Sequence, residues 1–380
     1  EDRCAISCEM TINEKGKVID YDIFPSYIKS AKQMTYKNVN KILMDNEIPD
    51  GYEPFKDTLI KMNELAKILR QEKVSRGYIE FDLDEAKIIQ NEQGVAIDVV
   101  KRVRYDAEKL IEDFMIAANE TVATHVSNMD LPFIYRVHDV PNSEKIDDFM
   151  NLLKMMNYSL KTRTINLTPL AMQSILNELK DKKEYQILSD ILLRSMKKAI
   201  YSTNNIGHFG LGSPSYTHFT SPIRRFPDLT VHRLLRTYLF ENKLNNETID
   251  FYNNYLITVA EQSSQREQEA VEAEREVDDM KMAEYMENHV GEKYHGIIVT
   301  VTKFGMFIRL DNLIEGLVHI STLPGFYEYV PELLSLVSKD KKKHYRIGED
   351  VNVLVTGANK NNGQIDFEII EGDGKNGSKK

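Results

Sequence analysis

The sequence predicts an α+β protein with two domains, the first mixing helices with antiparallel sheet and the second forming a five-stranded β-barrel. The chain of 380 residues is too long for one compact core. Helix and strand patterns alternate over residues 1–290, and short β-branched and aromatic runs follow, as is typical of a Greek-key barrel of the OB type. We therefore place the domains at 1–290 and 291–371, with a flexible glycine-rich tail over 372–380.

The first hundred residues contain strands and helices in alternation. The opening EDRCAISCEMTI already alternates like a strand, so we expect the first domain to be incomplete at its N-terminus. The predicted strands are residues 4–12, 17–28, 76–83 and 86–102, with turns at 13–16 and 91–94. The predicted helices are residues 36–44 and 55–72.

Capping signals mark where several later helices begin. Asp106 is a predicted N-cap for a long helix, and Asn142 caps the next one. Thr168 followed by Pro169 is a strong helix start, because proline is favoured at the first helical position. The other predicted elements are a strand over 133–138, a helix ending near residue 200, and helices over 227–242 and 247–290.

The segment over residues 203–226 has no regular period and holds three glycines and two prolines. Long aperiodic loops are functional or disordered, and the aromatic residues of this one argue against disorder. It ends in Arg224 and Arg225, just before a helix that Pro227 opens. Two guanidinium groups beside a helix N-terminus favour a phosphate-binding site. The alternative is a surface arginine pair bridged to nearby carboxylates, and Asp228 is interpreted as such a partner.

Side chains of the predicted barrel suggest a nucleic-acid surface. Phe304, Phe307 and His319 come from adjacent strand patterns, with Arg309 close by. Aromatics on the outer face of an OB barrel stack bases, whereas the alternative is that the two phenylalanines are core. Since their positions differ in parity, at most one points inward in a regular strand. The segment over 291–370 resembles the RNA-binding repeat first described in the large ribosomal small-subunit protein, which implies single-stranded RNA binding through these aromatics.

The first domain resembles the RNB catalytic domain of the ribonuclease II and ribonuclease R family. The matching segments, in the family's order, are SAKQMTYKNVNKIL, SRGYIEF, KLIEDFMIAANE, FIYRVHDVPN, LLRSMKKAIYS and GHFGLGSPSYTHFTSPIRRFPDLTVHRLL. With the barrel, the resemblance covers residues 1–370, and the closing DFEII favours the ribonuclease R branch. It implies a 3′→5′ exoribonuclease that processively hydrolyses single-stranded and structured RNA to nucleoside 5′-monophosphates, in RNA turnover and quality control.

The resemblance also implies site residues. By it, Arg224 is the arginine that grips the scissile phosphate, and Phe81 is the aromatic that stacks beneath the 3′-terminal base. Tyr36, with the acidic pair Glu112 and Asp113, contacts the terminal nucleotides and senses the ribose. The family usually has two glutamates there, so the shorter Asp113 is expected to leave that contact loose.

The residues alone leave alternatives open for these positions. Phe81 alternates with Ile79 and is compatible with a core position, and Tyr36 is compatible with an ordinary helix residue. Glu112 and Asp113 are neighbours on a helix, so only one of them faces a site, and the other is expected in solvent.

The resemblance further implies two magnesium ions, which activate water and neutralise the leaving oxygen, held by an aspartate cluster. The sequence offers no such cluster, since Asp278–Asp279 lies in a charged helix and Asp82 with Asp84 is only a pair. We therefore expect the magnesium ligands upstream of residue 1, and expect this chain to bind RNA better than it cuts it. The alternative is a non-catalytic RNA-binding protein with the same fold.

The composition of the chain narrows the choice of cellular compartment and of binding partner. No run approaches the roughly 18 apolar residues of a membrane span. The two cysteines, four positions apart in a strand, cannot bridge locally and suit a reducing cytosol. The net charge of −10 argues weakly against a nucleic-acid partner, but the acidic excess is concentrated over residues 261–289. We expect a cytoplasmic, monomeric protein whose partner is the single-stranded 3′ end of RNA.

Overall fold

The computed structural model describes residues 1–81, 83–161, 167–331, 334–340 and 342–370. The tail predicted over 372–380 lies outside this part of the chain. The chain opens with a long antiparallel hairpin of β1 (Asp2–Ile12) and β2 (Val18–Lys29), which confirms the first two predicted strands. Helices α1 (Tyr36–Met44) and α2 (Lys56–Ser75) and the hairpin of β3 (Glu85–Gln90) and β4 (Ala96–Arg102) follow.

The predicted strand over residues 76–83 is wrong over the described residues 76–81. This segment lies instead beside the glycine-rich loop of residues 203–226. The Ile79 N–H donates to the Gly210 carbonyl at 2.9 Å, and the Ile79 side chain is buried. A backbone that bonds to a distant loop does not form a ladder with a neighbouring strand, although its alternating side chains imitate one.

Helix α3 (Asp106–Asn128) begins differently from the prediction. Asp106 is its first residue, and Tyr105 occupies the N-cap position without a side-chain capping bond. Asn40 of α1 supplies the missing acceptor, because its side-chain oxygen accepts from the Ala107 N–H at 2.8 Å. The predicted cap at Asp106 is therefore wrong, since a tertiary contact satisfies the helix terminus.

The rest of the first domain comprises β5 (Tyr135–Val137), α4 (Ser143–Met155), α5 (Pro169–Leu179), α6 (Tyr185–Ser195), β6 (Ile200–Ser202), α7 (Phe226–Leu235) and α8 (Asn246–Glu287). Asn142 and Thr168 cap α4 and α5 as predicted, by accepting from the backbone N–H groups of Glu144 and Ala171. Helix α6 ends before the predicted residue 200, because β6 pairs with β5.

Two of the three apolar cores that the described residues of this domain form involve the glycine-rich loop. One joins α3, β5, β6, α7 and α8, with Leu234 and Tyr238 almost fully buried. The other packs α4, α5 and α6 together with Ile79. The glycine-rich loop contributes to both, since Phe219 belongs to the first core and Phe209 to the second. The loop is therefore anchored at two points by the hydrophobic interior.

The remaining strands are β7 (Lys293–Thr302), β8 (Gly305–Leu310), β9 (Glu315–His319), β10 (Tyr327–Val330), β11 (Ser335–Ser338), β12 (His344–Arg346), β13 (Asp350–Asn359) and β14 (Gln364–Ile369). Five of them close a barrel in the order β13-β14-β9-β8-β7, which confirms the predicted five-stranded barrel. Strands β10, β11 and β12 form a separate sheet inserted between β9 and β13. The sequence reading missed this sheet, because its strands are only three or four residues long.

Candidate functional site

A buried asparagine ties the glycine-rich loop to α3. The Asn119 side chain is 1% exposed and donates to the Tyr216 hydroxyl at 2.9 Å. Its carbonyl oxygen accepts from the backbone N–H groups of Phe219 and Thr220 at 2.9 and 3.3 Å. One side chain thus fixes the backbone shortly before the two arginines. The sequence reading did not single out Asn119, because a polar residue on a helix carries no local signal of such a contact.

The end of the loop is fixed by a buried carboxylate. Asp228, in the first turn of α7, is fully buried and accepts from the Ser221 N–H at 2.8 Å and from the Arg225 guanidinium at 2.7 Å. The interpretation of Asp228 as a partner of a nearby arginine is confirmed. Since Arg225 is held in this ion pair, its predicted contact with RNA has no support from the geometry.

Arg224, by contrast, is exposed at the entrance to α7. Its backbone N–H donates to the Ser221 carbonyl at 3.3 Å, and across the described residues no carboxylate lies within ion-pair distance of its guanidinium. The neighbouring Ile223 is fully exposed as well. An unpaired guanidinium beside a helix N-terminus is free to bind an anion.

Behind the loop lies a stack of buried rings that we call the ring ladder. Its members are His138, His208, Tyr216, His218 and Tyr201. Successive centroids are 5.1, 5.5, 5.7 and 5.6 Å apart, and each pair meets edge to face. The ring ladder was not predicted from the sequence, although the closely spaced histidines and tyrosine of HFGLGSPSYTHF indicate rings that are able to stack.

Burial keeps the histidines of the ladder neutral. Desolvation, assisted by the neighbouring His138, lowers the pKa of His208 to about 3. Desolvation and the positive charge of Arg225 lower the pKa of His218 to about 2. The neutral His218 ring shares a hydrogen bond of 2.8 Å with the Tyr201 hydroxyl. These histidines therefore serve as packed, uncharged groups near neutral pH.

A third arginine closes the ladder on its far side. Arg136 of β5 forms an ion pair of 2.5 Å with Glu267 of α8, and its guanidinium lies 4.7 Å from the centroid of the Tyr201 ring. The contact joins the strand before the loop to the long acidic helix. The guanidinium is mostly buried, so its charge is balanced inside the protein rather than offered to a ligand.

The second member of the acidic pair on α3 is buried. Asp113 is 3% exposed, and its carboxylate accepts from Arg70 and Lys73 of α2 at 2.7 and 2.8 Å. The expectation that the carboxylate facing away from a site lies in solvent is therefore wrong. Because it serves the packing of α2 against α3, Asp113 cannot reach RNA without losing these partners, which disfavours its predicted contact.

The other predicted contacts of the 3′ end lie nearer the surface. Glu112 is partly exposed and accepts from the Tyr78 hydroxyl at 3.0 Å and from Arg104 at 2.6 Å. Tyr36, the first residue of α1, is 51% exposed. Phe81 is partly buried and packs against the core of α4, α5 and α6. This packing supports, for part of the ring, the alternative interpretation of Phe81 as a core residue. The contacts of all three with RNA remain predictions.

The barrel exposes the aromatics that its sequence suggested. Phe304 is 42% exposed and Phe307 is partly exposed, with their centroids 6.3 Å apart. Met306 between them fills the barrel core, so neither phenylalanine points fully inward. His319 is exposed opposite Gly305, whose φ of +154° and close contact with Val318 leave no space for a side chain. We call Phe304, Phe307 and His319 the aromatic platform.

Arg309 of the barrel is used in another way than predicted. Its guanidinium donates to two carboxylates, Glu315 at 2.7 Å and Asp190 of α6 at 3.0 Å. The second partner belongs to the first domain, so this ion pair joins the two domains. The geometry favours a role in domain docking over the predicted RNA contact.

The described residues do not fit a magnesium centre. Nowhere in the described part of the chain do three or more His, Cys, Asp or Glu side chains come together as metal ligands. Asp278 and Asp279 lie in the exposed part of α8. Within the same residues, no helix is both long and apolar enough to cross a membrane.

Comparison with known proteins agrees with this architecture. Residues 1–241 match the RNB domain, and residues 287–370 match the S1 RNA binding domain. Ribonuclease R 1 of Lactococcus lactis is 44% identical over 97% of this chain and 45% of its own length. Ribonuclease R of Thermotoga maritima is also 44% identical, over 98% of this chain and 53% of its own length.

A solved structure matches over nearly the whole chain. Mycoplasma genitalium RNase R in complex with ribose-methylated single-stranded RNA superposes with a TM-score of 0.92 at 30% identity, over 97% of this chain and 58% of that one. The chain spans about half the length of the curated relatives that it matches.

Proposed function

Since this chain belongs to the RNB family, we propose that it is the carboxy-terminal part of a ribonuclease R-type 3′→5′ exoribonuclease. The substrate is single-stranded or structured RNA with a free 3′ end, which is degraded processively to nucleoside 5′-monophosphates during RNA turnover and quality control. The observation that carries this proposal is the free guanidinium of Arg224 beside its ion-paired neighbour, Arg225.

Arg224 acts on the scissile phosphate. Its guanidinium and the N-terminal end of α7 both favour negative charge, and their attraction grows as charge develops during bond cleavage. Asn119 and Asp228 hold the preceding loop by four hydrogen bonds, three from backbone N–H groups of residues 219–221 and one to the Tyr216 hydroxyl. This support fixes the guanidinium before substrate arrives, so that little reorganisation is needed at the moment of reaction.

The 3′-terminal nucleotides are recognised by surface groups of the first domain. Phe81 offers an aromatic face to the terminal base, and Tyr36 and Glu112 contact the sugar. Asp113 supports Glu112 by fixing α3 against α2 rather than by touching RNA. The aromatic platform of the barrel binds the strand further from its 3′ end, where base stacking is tolerant of sequence.

Nucleases of the RNB family generally depend on a divalent metal, and a bound metal supplies an activated water. Because the described residues hold no acidic cluster, we propose that the magnesium ligands belong to protein outside this chain. The chain by itself then binds RNA better than it cuts it. A non-catalytic RNA-binding protein is the second candidate, which the same missing cluster favours. We further propose a monomeric, cytoplasmic protein.

Two labelled substrates test the activity. The complete protein that contains this chain is incubated with magnesium and RNA labelled at either the 5′ or the 3′ end. We expect immediate release of labelled mononucleotide from the 3′ end, and only late release of the 5′ label. This chain alone is expected to bind the same RNA without release. Internal cleavage, or no cleavage by the complete protein, contradicts the exonuclease proposal.

A further inference from the structure

The sheet inserted into the barrel carries an aromatic residue in solvent. Phe326, directly before β10, is 82% exposed, about twice as much as Phe304 of the aromatic platform. Gly325 beside it has a φ of +105°, and no atom lies within 4 Å of the position that a Cβ would take there. Tyr327, the next residue, is buried, which anchors the segment at its base. The exposure of Phe326 is therefore imposed by the fold.

A cationic turn lies against this phenylalanine. The Lys339 N–H donates to the Phe326 carbonyl at 2.9 Å, which joins the segment to the turn between β11 and β12. Lys339, Lys342 and Arg346 are all exposed there, and no carboxylate of the described residues lies within ion-pair distance of them. The acidic residue of the turn, Asp340, is occupied by the Ser338 hydroxyl and the Lys342 N–H.

Other charges nearby are compatible with an anionic ligand. The His344 imidazole lies 3.3 Å from the Glu349 carboxylate, which also accepts from the Arg346 N–H at 3.0 Å. Glu328 on β10 is exposed and is the remaining described acid of the sheet. By sequence, residues 339–346 contain four lysines and one arginine against one aspartate, in a chain whose net charge is −10.

Phe326 follows the aromatic platform closely along the chain. The Ile320 N–H, one residue after His319, donates to the Phe304 carbonyl at 2.9 Å. Phe326 lies seven positions after His319, which limits the distance between their Cα atoms to about 24 Å. One extended nucleic-acid strand that lies on the platform is therefore able to reach Phe326.

We propose that Phe326, together with Lys339, Lys342 and Arg346, forms a second RNA-contact surface, which extends the aromatic platform along the same strand. A base stacks on Phe326, while Lys339, Lys342 and Arg346 hold the adjacent phosphates. The combination of an exposed aromatic with unpaired cations is the arrangement that binds single strands without sequence preference. This inference rests on the proposed function, since it assumes that the barrel binds RNA.

The test measures RNA binding by fluorescence anisotropy with the whole chain. Phe326→Ala is compared with Phe304→Ala and with Tyr27→Ala, a matched control that removes an aromatic of 81% exposure outside the barrel. Two oligouridines are used, one of about 5 and one of about 20 nucleotides, which lie near the lower limit and beyond the upper limit of one OB fold's site size. Unchanged melting temperatures verify that the variants fold.

We expect Phe326→Ala to weaken binding of the long oligomer about 5-fold or more, and to leave binding of the short one unchanged. Replacing Lys339, Lys342 and Arg346 with glutamine is expected to reduce the slope of log K against log salt by about 2. If Phe326→Ala matches Tyr27→Ala on the long oligomer, the second surface is overturned. If Phe304→Ala also has no effect on either oligomer, RNA binding by the barrel itself fails, which is a separate result.

Discussion

Alanine replacement of each neighbouring arginine separates a phosphate contact from a structural ion pair. Arg224→Ala removes an exposed guanidinium, so we expect the free energy of unfolding to change by less than about 0.5 kcal/mol. Arg225→Ala leaves the fully buried Asp228 carboxylate without its ionic partner, which costs about 3–5 kcal/mol for a buried pair. At about 2–4 °C per kcal/mol, the expected fall in Tm is about 6–20 °C. Thermal unfolding of this chain measures both values.

Arg224→Ala is expected to lower turnover strongly, although it changes stability little. In the complete protein, Arg224→Ala removes a donor that acts mainly on the transition state, and the loss of one such donor lowers kcat by about 10²–10³-fold. The RNA affinity is expected to fall much less, because the barrel contacts remain. Single-turnover release from 3′-labelled RNA gives the rate, and anisotropy gives Kd. Arg224→Lys is the matched control, which keeps the charge but loses the bidentate fork.

Two results contradict this reasoning. If Arg224→Ala lowers Tm as much as Arg225→Ala does, the guanidinium of Arg224 has a structural partner and is not free. If Arg224→Ala lowers kcat/KM only through a higher KM, the side chain is a uniform anchor rather than a group that acts on the transition state.

Three further predictions concern the supports of the site. Asn119→Leu leaves buried N–H groups unsatisfied, so we expect the free energy of unfolding, measured in urea, to fall by about 2–4 kcal/mol. A fall of less than about 1 kcal/mol would mean that the loop does not depend on Asn119. The pKa values of His208 and His218 are lowered in the fold, so the unfolded state binds more protons than the folded state below about pH 6.5. We therefore expect the free energy of unfolding to fall as the pH is lowered from about 7 to about 5. Urea midpoints that do not change over this pH range would oppose this prediction. Arg309→Met removes the ion pair with Asp190, so we expect faster proteolysis between the two domains. The RNA affinity of the barrel is expected to stay unchanged. A fall in that affinity would support the predicted contact of Arg309 with RNA instead.

Features that rest on neighbouring residues were predictable from the sequence. Asn142 and Thr168 cap their helices through side chains that reach backbone N–H groups two or three residues ahead. The barrel likewise follows from short alternating strands. Arg224 was placed correctly at a helix entrance, because Pro227 marks the start of α7 within the chain itself. Such features require no knowledge of which distant segments meet.

Features that depend on distant contacts were not predictable in the same way. The strand pattern over residues 76–83 imitates a ladder, yet Ile79 bonds to Gly210 across the domain. The burial of Asp113 depends on Arg70 and Lys73 of another helix. Adjacent arginines are also equivalent in sequence, and only the position of the Asp228 carboxylate distinguishes the paired one from the free one.

The net charge illustrates how composition misleads about a partner. Residues 261–279 of α8 contain eight carboxylates and two arginines, so this segment accounts for six of the ten net negative charges. Exposed charges beyond a Debye length of about 10 Å are largely screened at moderate salt. What an RNA strand meets at the barrel is therefore the local charge, which the lysines and the arginine of the sequence over residues 339–346 make positive. The sign of the whole chain carries no weight against RNA binding there.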